Sequence, residues 1–439
     1  MSSIAKKSIE TFVARTVMQA FGILGGIVIA RELGAQGKGV FSYAQTVFQV
    51  ILMLYAGQAA AISWQYGKRA RSSLPVFTSA MKVFVWSAVP IAAAVGVVAF
   101  AAPDQRILYA VAVALPFALF SQLCTGFFLA DSNVRVLNIQ MTFPTIVASL
   151  AYVVLLVFAH AGVQTLLAAW AATYICGAAY SAITLLPTLE RGNDAQERGL
   201  VREQVTYGSQ ISINSVVSYL NFRIDVFLVL FMLGQTQLGI YSVGIAIGEV
   251  MFQLSRPIVT SAFGRIARGE KDEAASLTAT CMRHSVVLVV AASVVAFFIG
   301  PALVTAVYGE SFAGAGPVLR MLLPGIVAYS MMPVLATFFA QQLGSPRIPL
   351  TFSSISTVLC ALITAATLKH FGILGAAAAT STSYGIAFGL AVAYFSRRTG
   401  LSVRQIFAFS MEDVKPYRRV ALHAIAWPGS LVARWGGGR

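Results

Sequence analysis

Charged residues are scarce in this chain, and acidic residues are scarcer still. Only 11% of the 439 residues are charged and 58% are hydrophobic, whereas soluble domains carry about a quarter charged residues. The 31 Lys and Arg against 16 Asp and Glu give a net charge of +15. Such an excess would suggest a nucleic-acid partner in a soluble protein, but membrane proteins collect basic residues on their cytoplasmic side. We therefore expect no nucleic-acid partner.

Several motifs of enzyme chemistry are also missing. The sequence has no GxxxxGK[ST] phosphate loop, no HExxH zinc motif and no GxSxG nucleophile motif. No cofactor, no catalytic residue and no enzyme activity are therefore predicted. The cysteines show no CxxC spacing, which argues against a metal site or a disulfide framework. They are Cys124, Cys176, Cys281 and Cys360.

Apolar runs of about 20 residues are abundant, and each is long enough to cross roughly 30 Å of hydrocarbon. In lipid the backbone must satisfy its own hydrogen bonds, so these runs are predicted to be helices. The fold class is an all-α polytopic membrane protein with about twelve transmembrane helices. The predicted spans are 11–30, 40–63, 76–101, 107–130, 139–159, 165–187, 206–233, 240–262, 285–306, 317–341, 350–368 and 374–396.

The distribution of Lys and Arg predicts the orientation of the chain, because basic residues accumulate in cytoplasmic segments. With both termini in the cytoplasm, most of the 31 basic residues fall in inside segments. The outer loops then hold only Arg31, Lys38, Arg106 and Lys369. Both termini are therefore predicted to be cytoplasmic, with an even number of spans.

An internal repeat divides the spans into two halves. Residues 33–42 read LGAQGKGVFS, and residues 233–242 read LGQTQLGIYS, at an offset of 200. A second match pairs His160 and Gly162 with His370 and Gly372 at an offset of 210, and Tyr174 meets Tyr384 at the same offset. An even number of spans separates the copies, so the halves share one orientation and form a parallel repeat.

The repeat predicts four regions in the chain. Residues 1–187 form an N-terminal six-helix lobe, and residues 206–396 form a C-terminal six-helix lobe. Residues 188–205 form a cytoplasmic linker between them. Residues 397–439 form a basic cytoplasmic or interfacial tail, in which arginines and lysines accompany Trp427 and Trp435. A disordered basic end is the alternative for this tail.

The seventh span is the most polar of the predicted helices. At about 100° per residue, Asn221 and Asp225 share one stripe with Asn214 and Ser218. Arg223 lies on a different stripe that includes Tyr219, so we expect Arg223 and Asp225 not to pair with each other. Charge inside a bilayer is costly, so Arg223 is expected to meet an anionic ligand or a carboxylate on another helix.

Two further spans carry polar faces. On the eighth span Glu249 and Arg256 are seven residues apart and are predicted to share one face. Arg15 lies on the first span, and Gln49, which matches Glu249 in the repeat, lies on the second. These faces predict a polar cavity, and the alternative is a set of interhelical contacts that only fix helix packing. Asp225 and Glu249 are the candidates for ion coupling or charge balance.

Two stretches resemble a known family. IVIARELGAQGKGVFSYAQTVF (27–48) is similar to the opening of oligosaccharide flippases of polysaccharide biosynthesis. NFRIDVFLVLFMLGQTQLGIYSVG (221–244) is similar to the start of their second half. These flippases belong to the multidrug/oligosaccharidyl-lipid/polysaccharide exporter superfamily, which also contains drug extruders and lipid II flippases. Lipid II flippases usually have fourteen spans, whereas about twelve are predicted here.

The resemblance implies a V-shaped exporter fold whose cavity opens alternately to each side. It implies a polyprenyl-diphosphate-linked oligosaccharide as cargo, which Arg15, Arg223 and Arg256 would bind together with Asn221 and Gln49. Coupling to H⁺ or Na⁺ is left open. The implied setting is the bacterial cytoplasmic membrane, with membrane lipids, glycosyltransferases and a glycan polymerase as partners.

Three rival functions have distinct sequence expectations. A cation-coupled multidrug exporter on the same fold would favour a net acidic cavity, whereas basic residues prevail here. A membrane enzyme such as a glycan polymerase is disfavoured by the short outer loops. A non-transporting scaffold for envelope assembly has no distinguishing motif.

Overall fold

The computed structural model describes residues 3–68, 72–102, 105–191 and 199–408, and no strand occurs in these ranges. The all-α membrane fold is thus confirmed. The helices are α1 (Ser3–Ser63), α2 (Ser73–Ala101), α3 (Leu108–Ala130), α4 (Val134–Tyr152), α5 (Val163–Leu185), α6 (Leu200–Leu220), α7 (Ile224–Val250), α8 (Phe252–Arg268), α9 (Lys271–Tyr308), α10 (Ala315–Tyr329), α11 (Met332–Thr337), α12 (Arg347–Thr399) and α13 (Val403–Phe407).

Three of the long helices are hairpins that reverse at a glycine. Gly34 in α1, Gly234 in α7 and Gly372 in α12 have φ values of 64°, 82° and 57°, in the left-handed region that glycine adopts without steric cost. The reversal in α7 brings the Tyr241 hydroxyl within 2.5 Å of Asp225. The described ranges contain nine segments able to cross a membrane. Because three of them are hairpins, these segments accommodate the twelve predicted spans.

The chain separates into two compact units. The first comprises the residues up to Ala246 together with Ile299–Met321 and Thr357–Thr380. The second comprises Ile247–Phe298, Leu322–Ser356 and the residues from Ser381 onwards. Within the first unit, α1 packs against α3, α4 and α6. The division into six-helix lobes at 187 and 206 stays a prediction.

In the first unit, the two backbone segments that carry the repeat-related glycines Gly39 and Gly239 cross each other. A Cβ atom on Gly39 would lie 1.8 Å from the Gln235 carbonyl oxygen, and one on Gly239 would lie 1.8 Å from the Ala35 carbonyl oxygen. The hydroxyls of Ser42 and Ser242 are 3.1 Å apart. Every partner in this crossing is related by the offset of 200, so the first repeat match is confirmed as a structural symmetry of the outer turns. Only residues without a Cβ allow the two backbones to approach so closely.

An arginine adds a polar contact near this crossing of the outer turns. Arg31 donates from Nε to the Val307 carbonyl at 2.7 Å and from Nη2 to the Ala306 carbonyl at 2.5 Å. These carbonyls belong to the last turn of α9, where backbone acceptors lack intrahelical partners and the helix dipole favours a cation. The first arm of α1 is thereby tied to the end of α9.

The second unit has its own aromatic core. Phe338 and Phe395 are fully buried, with ring centroids 4.9 Å apart. The start of the tail belongs to this core, because Ile406 of α13 is buried and its carbonyl accepts a hydrogen bond from Arg283 at 3.2 Å. The described start of the predicted tail is therefore a helix that packs against the second unit. The remaining tail residues, including Lys415, Arg418, Arg419, Trp427 and Trp435, lie outside the described residues.

The cytoplasmic linker between the two lobes stays a prediction, and helix α6 begins inside its predicted range. α6 begins at Leu200, so residues 200–205 are helical and the connection is shorter than 188–205. Residues 192–198 lie outside the described ranges. The early start follows from packing, since Leu200 is buried and its carbonyl accepts a 2.9 Å hydrogen bond from Gln65.

The predicted orientation of the chain can be measured with reporter fusions. Fusions after Lys68, near Asn193 and after Arg398 are expected to report a cytoplasmic location, because basic residues surround these points. Fusions near Gln235 and Ala313 are expected to report the outer side. An outer location for the fusion at Asn193 would contradict the plan of six spans on either side of the linker.

Candidate substrate and coupling site

The most polar membrane span is interrupted at its centre. α6 ends at Leu220 and α7 begins at Ile224, so residues 221–223 form a turn. The Phe222 amide donates to the Tyr219 carbonyl at 3.0 Å, and the Arg223 amide donates to the Leu220 carbonyl at 3.0 Å. Each of these hydrogen bonds spans three residues instead of four, so the backbone is wound more tightly here than in an α-helix. The expectation of one continuous helix over 206–233 was therefore wrong, and its stripes do not extend unchanged past Asn221.

The guanidinium of Arg223 lies at this turn. Its central carbon is 5.9 Å from the centroid of the Tyr219 ring, and Nη1 donates to the Phe222 carbonyl at 3.1 Å. The predicted proximity of Tyr219 and Arg223 is thus confirmed. The side chain is half-buried, so the charge is held close to the backbone and over an aromatic face.

Asp225 is the centre of a buried cluster of hydrogen bonds. Its side chain is only 3% exposed. Oδ2 accepts from the Tyr241 hydroxyl at 2.5 Å and from the Thr380 hydroxyl at 2.9 Å, while Oδ1 accepts from the Val226 amide at 2.8 Å. That Arg223 and Asp225 do not pair with each other stays a prediction. Hydrogen bonds thus stabilise this carboxylate.

The cluster extends into α12. The Cys360 sulfur lies 3.6 Å from the Thr380 hydroxyl and 3.8 Å from the Thr364 hydroxyl. Nearby on α12, the Thr357 hydroxyl donates to Asn221 Oδ1 at 3.5 Å. The sequence analysis did not identify these partners. Among the described residues, no group of three His, Cys, Asp or Glu side chains could hold a metal ion.

The eighth span is also interrupted. α7 ends at Val250 and α8 begins at Phe252, and the Met251 amide donates to the Gly248 carbonyl at 3.0 Å. The single continuous helix predicted over 240–262 was therefore wrong, so spacing alone does not place Glu249 and Arg256 on one face. Glu249 is half-buried and Arg256 is exposed within the second unit. No described residue pairs with the Arg256 side chain.

Arg15 and Gln49 lie on opposite arms of the α1 hairpin. Arg15 is exposed and Gln49 is half-buried. In the described ranges, no hydrogen bond or ion pair connects either side chain to Asn221, Arg223 or Asp225. Among the predicted site residues of the first unit, the structure thus brings together only Asn221, Arg223 and Asp225.

Comparisons with known proteins agree with this architecture. Residues 4–270 match the family described as polysaccharide biosynthesis protein. A probable low-salt glycan biosynthesis flippase, Agl15, from Haloferax volcanii is 23% identical over 410 residues, which cover 90% of this chain and 84% of the relative.

Two solved structures share the fold at low sequence identity. The lipid II flippase MurJ in an inward closed conformation has a TM-score of 0.73 at 12% identity, covering 94% of this chain and 93% of the other. An inward-facing multidrug resistance MATE transporter of the MOP superfamily has a TM-score of 0.67 at 12% identity, covering 89% and 98%. The exporter fold implied by the sequence resemblance is confirmed. The chain, a multi-pass membrane protein, belongs to the polysaccharide biosynthesis protein family.

Proposed function

We propose that this protein is a flippase that moves a polyprenyl-diphosphate-linked oligosaccharide across the cytoplasmic membrane. The observation that carries the proposal is the position of Arg223 at a helix interruption inside a membrane span, in a chain of this family. An arginine at the centre of a membrane helix costs about 2.5–3.5 kcal/mol on insertion scales, so its presence favours a functional role. The H. volcanii relative is named as a probable glycan biosynthesis flippase and MurJ as a lipid II flippase, and both names support a flippase function.

Guanidinium chemistry suits the diphosphate group. Arginine stays charged, and its planar donors bind two phosphate oxygens at once. Arg15, Arg223 and Arg256 are the side chains we assign to this chemistry, with Asn221 and Gln49 contributing polar contacts. Arg15 and Arg256 are exposed, which leaves their donors accessible to a ligand. The polyprenyl chain would remain in the lipid.

Alternating access requires the outer turns to separate at some stage. In the first unit these turns are in contact at Gly39 and Gly239, and Arg31 is bonded to the end of α9. We assign this arrangement to a state closed on the outer side. Since the contacts involve few side chains, their separation breaks few hydrogen bonds, as expected of an element that opens and closes.

Asp225 is our candidate for coupling to H⁺ or Na⁺. A carboxylate that is 3% exposed and surrounded by hydroxyl donors can hold a proton, and its oxygens together with those of Thr380 suit a hard cation. We expect Asp225→Asn to leave the protein inserted and to remove the response of transport to an imposed H⁺ or Na⁺ gradient. Transport into vesicles with and without each gradient measures this response.

Tyr241→Phe is the matched control for this coupling prediction. It removes one donor to Asp225 but keeps the carboxylate, so it should cost about 1–3 kcal/mol of stability while the gradient response persists. An unchanged gradient response in Asp225→Asn would contradict the coupling role.

A multidrug exporter is the second candidate function, because a MATE transporter shares the fold. An organic cation needs a carboxylate that is accessible in the cavity. Asp225 is buried with both oxygens engaged, which disfavours such a role. We also infer a transporter that performs no covalent chemistry.

The proposed setting is a bacterial inner membrane with both termini in the cytoplasm, although the H. volcanii relative is archaeal. Glycosyltransferases and a glycan polymerase would act before and after the transport step. In cells lacking this protein, lipid-linked glycan should accumulate in the inner leaflet, and the wild-type chain should restore export. Normal export in the deletion strain, with no other family member present, would reject the proposal.

A further inference from the structure

A small polar cavity lies inside the N-terminal helices of the first unit. Its volume is about 160 Å³, and both arms of α1 line it together with α4 and α5. The polar side chains that face it include Lys38 and Gln45 from α1 and Thr173 and Tyr174 from α5. The space holds several water molecules but is smaller than the roughly 300 Å³ of a drug-sized ligand site. It therefore suits one substituent of a larger ligand.

Lys38 provides the only cation among the residues that line this cavity. Its ammonium lies 3.7 Å from the position that a Cβ atom on Gly26 would occupy, so the side chain reaches across to the other arm of α1. Lys38 is half-buried, and within the described ranges its ammonium has no hydrogen bond or ion pair. A charge that is removed from water without a partner is costly.

The surrounding sequence supplies no counter-charge. The chain has no Asp or Glu between Glu10 and Glu32, between Glu32 and Asp104, or between Asp131 and Glu190. These intervals include all the helical segments that line the cavity. A ligand with a negative charge would balance Lys38, and amide and hydroxyl groups beside it would bind neighbouring oxygens.

We propose that this cavity binds the carboxylate of an acidic sugar carried by the cargo glycan. The inference rests on the proposed function and adds a second anionic subsite to it, separate from the arginines assigned to the diphosphate. Lys38 follows the outer turn at Gly34, so the subsite lies in the outer half of the N-terminal helices. A glycan with a uronic acid would thus be distinguished from a neutral one.

Binding of simple sugars to the purified full-length protein tests this subsite. We expect glucuronate to bind and to raise the thermal stability at constant ionic strength, whereas glucose does not. Lys38→Gln should weaken glucuronate binding by about tenfold or more. Lys369→Gln is the matched control, because Lys369 is an exposed lysine on the predicted outer side and should leave binding unchanged.

A second variant keeps the charge and fills the space. Gly22 lines the cavity, and a Cβ atom there meets nothing within 4 Å, so Gly22→Leu should fold and should block glucuronate. Equal responses to glucose and glucuronate, or full binding by Lys38→Gln, would overturn the proposal. Chloride that abolishes the glucuronate response at equal concentration would also overturn it in favour of a small-anion site.

The binding measurement separates this inference from the flippase function. If the protein flips neutral lipid-linked oligosaccharides but does not bind glucuronate, the acidic-sugar subsite is rejected and the proposed function stands. If the protein binds glucuronate through Lys38 but flips no lipid, the subsite stands as an anion site and the transport role is rejected.

Discussion

Replacement of Arg223 by alanine is expected to leave the protein inserted in the membrane but unable to export glycan. The guanidinium lies at the turn between α6 and α7 and is half-buried over Tyr219. Its loss removes the donor that we propose for the diphosphate from the middle of a span, while one costly membrane charge disappears and insertion becomes easier. Export should fall by about 100-fold or more, since hydrogen bonds to charged groups contribute about 1.5–3 kcal/mol each. Surface glycan and membrane levels of the protein are the two readouts.

Two further variants separate phosphate binding from a structural role. Arg223→Lys should rescue export only in part, because an ammonium cannot reproduce the planar fork. If Arg223 only balances the charge of Glu249, the double variant Arg223→Ala, Glu249→Gln should recover what each single variant loses. Full export by that double variant would contradict the binding role of Arg223.

The second large effect is expected at the crossing of the outer turns. Gly39→Ala places a methyl group 1.8 Å from the Gln235 carbonyl oxygen, a distance at which the backbones must move apart. Overpacking of this kind costs about 1–3 kcal/mol, which corresponds to about a 5- to 150-fold loss in the population of the closed contact. Gly239→Ala should act in the same way, because its Cβ meets the Ala35 carbonyl.

A cysteine pair measures the closed contact directly. The hydroxyls of Ser42 and Ser242 are 3.1 Å apart, so Ser42→Cys and Ser242→Cys together should cross-link under oxidation and stop transport. Addition of Gly39→Ala should prevent the cross-link. Gly162→Ala is the control, since a Cβ there meets no atom within 4 Å. Undiminished cross-linking in the Gly39→Ala background would show that the crossing tolerates a side chain.

The positions of the membrane-spanning helices could be predicted from the sequence because hydropathy and length are local properties. The hairpins at Gly34 and Gly234 also follow from the repeat, since both glycines occupy the same motif position and share a left-handed conformation. The interruption at 221–223 was not predictable from helical periodicity, because no proline or glycine marks it.

The hydrogen-bond partners of Asp225 depend on tertiary structure. Thr380 lies 155 residues from Asp225 in sequence, and no local pattern links the two. Tyr241 offered a weak signal, because it sits in the repeat motif at the position of Phe41 and is the copy that carries a hydroxyl. Residue spacing placed polar groups on helices, but it could not determine which helices would meet.

The most direct measurement of the proposed function is translocation by the purified protein in liposomes. A polyprenyl-diphosphate-linked oligosaccharide is placed in both leaflets, and a membrane-impermeant glycosidase or lectin reports the fraction that becomes accessible outside. Wild-type protein should make the inner pool accessible, while Arg223→Ala liposomes should match protein-free liposomes. Equal accessibility with and without the wild-type protein, under each ion gradient, would contradict the flippase account.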